Sequence, residues 1–402
     1  MPLTIVPVFS SLTALNIKNR RLNDITETGA KIQEVHEHRP LTDRRAPIHI
    51  FVGSGGTENA IAEYVLEQQG VSSVVLIAHD SNNSLPAALE TKTWLQKKSI
   101  DCKLVCDSYE GILKKLEKWN EFSKVLDSIE KMKIGQLGAP SDWLIGSEVN
   151  RDLVKQHWGI EIVLEALDDI LSEIEPLESE RQMEEFMEKA KRTSVSKASI
   201  AKAANLAAKM EQAVLSKYDA VTIRCFDIVM ESGITGCYAV SLLNDQGITA
   251  GCEGDIPSLF SMLLVREIID QASFMGNVVS INENENTIGL AHCTVPLSLT
   301  SEYEISDHYE TGKSVSIRGG FKEQEVTVFK VAGESLKKYW VSSGEIVGTP
   351  RNEEACRTQV KIRLNKPIDY FMERPLGNHH IMTLGNHEDL LSSFMSFATR
   401  GY

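Results

Sequence analysis

The sequence has few cysteines, no long apolar run and no excess of basic residues, and each shortage argues against a class of protein. Its seven cysteines are an odd number scattered from Cys102 to Cys356, and no two are spaced as Cys-x-x-Cys. They do not form the pattern of a disulfide framework. We therefore expect a reducing, cytoplasmic setting.

The missing apolar and basic stretches limit the partners of the chain. No segment approaches the ~20 consecutive apolar residues of a membrane span, and the N-terminal residues lack the basic head and cleavage site of a signal peptide. The 42 basic and 56 acidic side chains give a net charge of −14, whereas a general nucleic-acid binder needs a basic face. We predict no membrane or nucleic-acid partner, although one local basic pocket would suffice for an anionic small substrate.

What the sequence does contain is ordinary globular composition, with 42% apolar and 24% charged residues over 402 positions. Residues 1–130 alternate short apolar runs with amphipathic patterns. They predict strands at 3–9, 48–52, 73–78 and 102–106 and helices at 58–69, 86–97 and 110–132. This alternation is typical of βαβ units with a parallel sheet.

Residues 131–272 continue the α/β pattern and then change. Strands are predicted at 133–137, 159–163 and 220–224, and helices at 150–157 and 257–269. Between them, residues 175–218 predict mostly one long helix, because no proline or glycine lies between Leu177 and Tyr218. The charged first half of this segment predicts a solvent-exposed face, and the alanine-rich second half predicts close packing against another helix.

Residues 273–402 are rich in β patterns. Strand-like runs at 314–318, 325–331, 340–347 and 359–364 are separated by glycine, proline and charged turns, which predicts antiparallel sheet or a small barrel, and a helix at 388–399 closes the chain. The predicted fold is α/β, with two Rossmann-like α/β domains (1–130 and 131–272) and a mostly β C-terminal domain (273–402).

A glycine-rich turn at residues 53–58 follows a predicted strand and opens a helix. Glycines there allow close approach of the backbone, and a helix N-terminus favours anions or hydroxyl ligands. The turn is not Gly-x-Gly-x-x-Gly, because Glu58 stands where the third glycine would fall. Three interpretations remain open: a nucleotide site, a contact with a sugar or sugar phosphate, and a tight βα turn capped by Thr57.

A second motif, Cys-Glu-Gly-Asp at residues 252–255, places Glu253 and Asp255 two residues apart before a predicted helix. Carboxylates at the end of a strand serve as metal ligands or general bases. They also serve as helix caps, which is the simpler interpretation of the tetrapeptide alone.

Half of the ten histidines lie in the last third of the chain: His292, His308, His379, His380 and His387. Histidine combined with carboxylate suits a divalent metal. No His-Glu-x-x-His or Cys-x-x-Cys spacing is present, so a standard zinc site is not predicted.

Taken together, these segments resemble the L-fucose/L-arabinose isomerase superfamily, specifically its shorter L-fucose isomerase-like proteins. The motifs that carry the resemblance are Gly-Gly-Thr-Glu at 55–58, Gly-Ala-Pro-Ser-Asp-Trp at 138–143, Arg-Cys-Phe-Asp at 224–227, Cys-Glu-Gly-Asp at 252–255, His-Cys at 292–293 and Gly-Asn-His-His at 377–380. Their order and the three-part organisation extend the resemblance over most of the chain.

The resemblance implies an aldose–ketose isomerase that acts on a small sugar through an enediol intermediate with a divalent metal, typically Mn²⁺. It also implies a homo-oligomer, a trimer or hexamer, whose sites are completed by a neighbouring subunit. The implied metal ligands are Glu253, an acid near residue 277, and a histidine of the pair His379 and His380, with His380 favoured. The implied substrate-binding residues are Gly56, Thr57, Glu58, His292 and Asp255; His292 also lies in the region of a further ligand histidine of arabinose isomerases.

The chain departs from this family at one position. In L-fucose isomerases the second acid falls 24 residues after the glutamate, and here that position is Asn277. An amide oxygen coordinates without bringing charge and does not act as a base, so Asn277 alters a metal and catalytic position; Asp255 and Glu283 are candidates to compensate. Three hypotheses follow: a metal-dependent sugar isomerase with an altered second ligand, a related enzyme acting on another polyol or a modified sugar, and a non-catalytic sugar-binding or regulatory protein.

Overall fold

The computed structural model describes residues 4–27, 31–32, 47–68, 71, 73–167 and 179–399. The chain divides into two compact units, residues 1–124 with 397–402 and residues 125–396. In the described part of the chain, no helix combines the length and apolar character that crossing a membrane requires.

The first unit is built on a five-stranded parallel sheet. Its strands are β1 (Thr4–Val8), β2 (Lys31–Ile32), β3 (Ile48–Val52), β4 (Ser73–Ala78) and β5 (Asp101–Cys106), in the order β2-β1-β3-β4-β5. Its helices are α1 (Leu15–Thr26), α2 (Glu58–Glu67) and α3 (Ser84–Lys97), and α4 (Tyr109–Ile129) begins in it. The alternation predicted for this stretch is confirmed.

Both faces of this sheet are covered, which explains its nearly continuous apolar strands. Ile48, Ile50 and Val52 of β3 belong to one buried cluster, whereas Phe51 of the same strand belongs to another on the opposite face.

The second unit begins with a four-stranded parallel sheet. Its strands are β6 (Lys133–Leu137), β7 (Glu161–Glu165), β9 (Ala220–Ile223) and β10 (Thr249–Cys252), in the order β10-β9-β6-β7. Its described helices are α5 (Arg151–Trp158), α6 (Glu180–Glu188), α7 (Lys197–Leu215), α8 (Cys225–Ser232), α9 (Cys237–Asp245) and α10 (Ile256–Ile269).

The prediction of one long helix over 175–218 is wrong where the structure describes it, and residues 175–178 lie outside the described part. A short strand, β8 (Arg192–Thr193), separates α6 from α7 and pairs with β13 (Glu302–Ser306). Ser196 then starts α7 by accepting a hydrogen bond from the backbone N–H of Ser199. The strand partner of β8 and the new helix start at Ser196 interrupt the predicted helix although the segment has no proline or glycine.

The rest of the chain is mostly β. Six strands form a closed barrel in the order β11 (Phe274–Asn282), β12 (Thr287–His292), β17 (Thr358–Leu364), β16 (Lys338–Gly348), β15 (Glu325–Ala332) and β18 (His379–Leu384). Strand β14 (Ser316–Gly320) pairs with β13, and two helices follow, α11 (Asp369–Glu373) and α12 (Glu388–Thr399). The fold is therefore mixed α/β with parallel sheets and a mostly β C-terminal part that contains a barrel.

Helix α10 joins the parallel sheet to the barrel. It packs against β9 and β10 on one side and against β15, β18 and β11 on the other, and every residue from Ile256 to Val265 is buried. A helix that is apolar all round is a buried helix. Its N-terminus therefore lies inside the unit, where the Cys-Glu-Gly-Asp motif precedes it.

Candidate metal centre

The turn between β10 and α10 holds Glu253 in an unusual backbone conformation. Glu253 has φ 65° and Gly254 has φ 69°, a region that costs a non-glycine residue ~1–2 kcal/mol. The surroundings enforce it, because the carbonyl of Glu253 accepts a 2.8 Å hydrogen bond from Ser141 N–H. A Cβ on Gly254 would come within 2.7 Å of the carbonyl oxygen of Ala139. The strained turn aims the Glu253 side chain into the unit.

Three buried side chains from distant parts of the chain meet at this turn: Glu253, His292 at the end of β12, and His379 at the start of β18. One donor atom from each lies within 4.8 Å of the other two. Glu253 Oε1 is 3.7 Å from His292 Nε2 and 3.6 Å from His379 Nε2, both longer than an ordinary hydrogen bond.

Three of the four ring nitrogens of this cluster lack a hydrogen-bond partner among the described residues. Both nitrogens of His292 and Nε2 of His379 are buried and make no hydrogen bond with any residue that the structure describes, and a buried polar atom left unpaired costs ~1–3 kcal/mol. Two imidazoles and a carboxylate are a common ligand set for divalent transition metals. The cluster therefore fits a divalent cation, with Glu253, His292 and His379 as its ligands.

Asp255 contacts His379 through the ring nitrogen that points away from Glu253. Its Oδ1 accepts a 2.9 Å hydrogen bond from Ser258 N–H, so it caps α10, as the simpler interpretation of the motif predicted. Its Oδ2 accepts from Ser258 Oγ at 2.7 Å and lies 2.9 Å from His379 Nδ1. A carboxylate only accepts, so Nδ1 of His379 carries a proton, and Nε2 is the nitrogen that faces Glu253. This carboxylate–histidine pairing is how proteins orient a metal-ligating imidazole.

A buried lysine completes this arrangement. Lys330 on β15 is fully buried; its Nζ donates a 2.7 Å hydrogen bond to Ser258 Oγ and lies 3.9 Å from Asp255 Oδ2. Lys330 was not among the residues predicted from the sequence, although one signal was available: it is the only charged residue from Val326 to Ala332 of β15.

The electrostatics keep both carboxylates ionised. Burial would raise the pKa of Glu253, but the facing rings of His292 and His379 hold it below its usual range. Burial would also raise the pKa of Asp255, but the positive charge of Lys330 and the hydrogen bond with His379 lower it below its usual range. Burial lowers the pKa of His379, yet Asp255 and Glu253 together raise it to about 9.

The two neighbouring histidines point in opposite directions, because side chains alternate along a strand. The Nε2 of His380 lies 3.0 Å from the Tyr370 hydroxyl, and its Nδ1 lies 3.0 Å from the carbonyl oxygen of Asn378. Burial lowers the pKa of His380 to about 3. His379 therefore faces Glu253, whereas His380, which the sequence analysis favoured, has both ring nitrogens engaged elsewhere.

Asn277 lies on β11 directly opposite His379. Paired residues of an antiparallel ladder share a face, with Cβ atoms ~4.5–5.5 Å apart. The Asn277 amide oxygen accepts a hydrogen bond from Asn378 Nδ2. Glu283, named as a possible substitute for the missing acid, follows the other end of β11 and is exposed; six residues of strand place it ~20 Å from Asn277.

Gly56, Thr57 and Glu58 lie in the first unit, at the start of α2. Gly56 has φ 73°, in the left-handed region that favours glycine. The buried Thr57 hydroxyl donates a 2.9 Å hydrogen bond to the Ser54 carbonyl and does not cap the helix through its side chain. Thr57 is the N-cap residue of α2, as the interpretation of a capped βα turn predicted, but the capping bond is made by its backbone carbonyl and not by its side chain.

A tryptophan that the sequence analysis quoted only as part of a motif contacts the cluster. Trp143 Nε1 donates a 2.7 Å hydrogen bond to Glu253 Oε2. The Trp143 residue is nonetheless 56% exposed, which is unusual for an aromatic residue bonded to a buried carboxylate.

The chain is similar to sulfoquinovose isomerases. It is 24% identical over 272 residues to the sulfoquinovose isomerase of Alkalicoccus urumqiensis, an alignment that covers 64% of this chain and 61% of that protein. It is also 24% identical over 226 residues to the enzyme of Priestia megaterium, covering 52% and 49%, and 26% identical over 153 residues to that of a Clostridium species, covering 36% and 34%.

The chain thus spans between a third and three fifths of the length of these curated relatives. No family model matches it. The activity named for these relatives, isomerisation of a sugar, is of the same kind as the activity that the resemblance in the sequence implies.

Proposed function

We propose that this protein is a sugar aldose–ketose isomerase that uses a divalent metal held by Glu253, His292 and His379. The observation that carries the proposal is the meeting of one ionised carboxylate with two imidazoles, of whose four buried nitrogens three have no hydrogen-bond partner in the described part of the chain. The similarity to sulfoquinovose isomerases supports the reaction class.

The reaction moves a carbonyl between C1 and C2 of a sugar, so a proton must leave one carbon and return to the next. A bound divalent cation, Mn²⁺ in our proposal, supplies Lewis-acid stabilisation of the negative charge that develops on the sugar oxygens. In this proposal Glu253 is also the catalytic carboxylate: its low pKa keeps it ionised and able to accept a proton, although it does so as a weak base. Asp255 orients His379 from a fully buried position, so we assign it support of the imidazole rather than contact with the sugar.

Asn277 takes the position of the family's second acid in this proposal, and its place opposite His379 supports that assignment. It also favours a second candidate function, a non-catalytic sugar-binding protein on the same scaffold, because an amide does not move a proton. We further propose an assembly of several chains in which Gly56, Thr57 and Glu58 contact the sugar, and Rossmann-like character for the two parallel-sheet domains.

The test is metal content combined with turnover. Protein stripped with a chelator and reloaded with Mn²⁺ is assayed on a panel of aldoses that includes sulfoquinovose, following the ketose formed. Glu253→Gln should lower Mn²⁺ binding and turnover together by at least 100-fold, whereas Glu345→Gln, at a surface ion pair with Arg363, should preserve both. Unchanged metal content and turnover in Glu253→Gln would contradict the site. Sugar binding without turnover would favour the second candidate.

A further inference from the structure

We propose that Trp143 contacts the sugar and also determines which oxygen of Glu253 faces the two histidines. The inference rests on the proposed function, because it assigns a residue to the same site. It makes Trp143 a positioning residue through its indole N–H and a substrate-contacting residue through its ring.

The positioning role follows from the different partners of the two carboxylate oxygens of Glu253. Oε2 accepts the 2.7 Å hydrogen bond from Trp143 Nε1. Oε1 is the oxygen that lies 3.6–3.7 Å from His379 Nε2 and His292 Nε2. With one oxygen engaged by an N–H donor, the carboxylate presents the other as a single ligand atom, and hydrogen bonds of this kind tune ligand orientation.

The contact role follows from the exposure of the ring. Trp143 is 56% exposed, although tryptophan is usually well buried. The ring is held by the hydrogen bond to Glu253 and by an edge-to-face contact with Phe226, whose ring centroid lies 4.9 Å away at an interplanar angle of 86°. A fixed aromatic surface beside a polar centre is a typical lining of a small-molecule site. A sugar at the Glu253 carboxylate would find the indole within reach of its C–H face.

Two substitutions of Trp143 distinguish the positioning of Glu253 from the contact with the sugar. Trp143→Phe keeps an aromatic ring and removes the N–H donor, whereas Trp143→Leu removes both. The matched control is Trp158→Phe, which also loses one indole hydrogen bond, that to the Ser335 carbonyl. Calorimetric titration with Mn²⁺ alone measures the ligand geometry, and KM and kcat for sulfoquinovose on Mn²⁺-loaded protein measure the sugar contact.

Both Trp143 variants should bind Mn²⁺ roughly tenfold more weakly than the wild type. Only Trp143→Leu should also raise KM, by about fivefold over Trp143→Phe, and the control should stay within twofold on both measures. Wild-type Mn²⁺ affinity in Trp143→Phe would overturn the positioning role, and equal KM values in the two variants would overturn the sugar contact. A wild type that neither binds Mn²⁺ nor converts any aldose would instead overturn the proposed function, and this inference with it.

Discussion

Replacing the buried Lys330 by methionine should destabilise the second unit by about 3 kcal/mol. The Lys330 ammonium and the Asp255 carboxylate are both essentially inaccessible, with Nζ 3.9 Å from Oδ2. At an effective dielectric constant of 20, two unit charges at this distance attract each other by ~4 kcal/mol. The variant also loses the hydrogen bond from Nζ to Ser258 Oγ. Because it no longer buries an ammonium group, the net loss of stability is smaller than the lost ion pair and the lost hydrogen bond together.

The measurement is urea unfolding of metal-free protein. Unfolding is followed by tryptophan fluorescence. To make this signal report on the second unit alone, Trp94 and Trp119, both in the first unit, are replaced with phenylalanine. The three remaining tryptophans then all lie in residues 125–396. Lys338→Met, which removes an exposed lysine on β16, is the control and should change stability by less than about 0.5 kcal/mol.

A double-mutant cycle with Asp255→Asn checks the cause. If Lys330 acts through the Asp255 charge, the double variant should lose less stability than the two single variants together, by at least ~1.5 kcal/mol. A cost below about 1 kcal/mol for Lys330→Met, or additive losses, would refute the reasoning that Lys330 compensates a buried carboxylate.

Three further predictions concern other parts of the second unit. Asn277→Asp restores a negative charge beside His379 and should tighten Mn²⁺ binding at least tenfold in calorimetry; equal affinities would place Asn277 outside the metal shell. Gly254→Ala should cost about 2–4 kcal/mol in urea unfolding, because φ is 69° and its Cβ would meet the Ala139 carbonyl at 2.7 Å. Lys191→Glu breaks an exposed ion pair with Glu302, so turnover should stay within a few-fold, and a large loss in folded protein would show that the site is misplaced.

Many of the local elements and the candidate ligand residues could be predicted from neighbouring residues in the chain alone. Strands such as Ser73–Ala78 and Lys133–Leu137 and the last helix, Glu388–Thr399, lie where their patterns predict them, since strand runs and helix periodicity are properties of neighbouring residues. The two acids of the Cys-Glu-Gly-Asp motif and the C-terminal histidines were also candidates from residue type alone.

Tertiary structure decided which of these candidates meet. Residues 379 and 380 are both histidines. Because β18 turns one of its faces toward the turn before α10, His379 and not His380 lies near Glu253. The break between α6 and α7 depends on the pairing of β8 with β13, a partner more than 100 residues away. Trp143 and Lys330 contact Glu253 and Asp255 across long separations in sequence, and such contacts depend on the packed fold and leave no periodic signal in the chain.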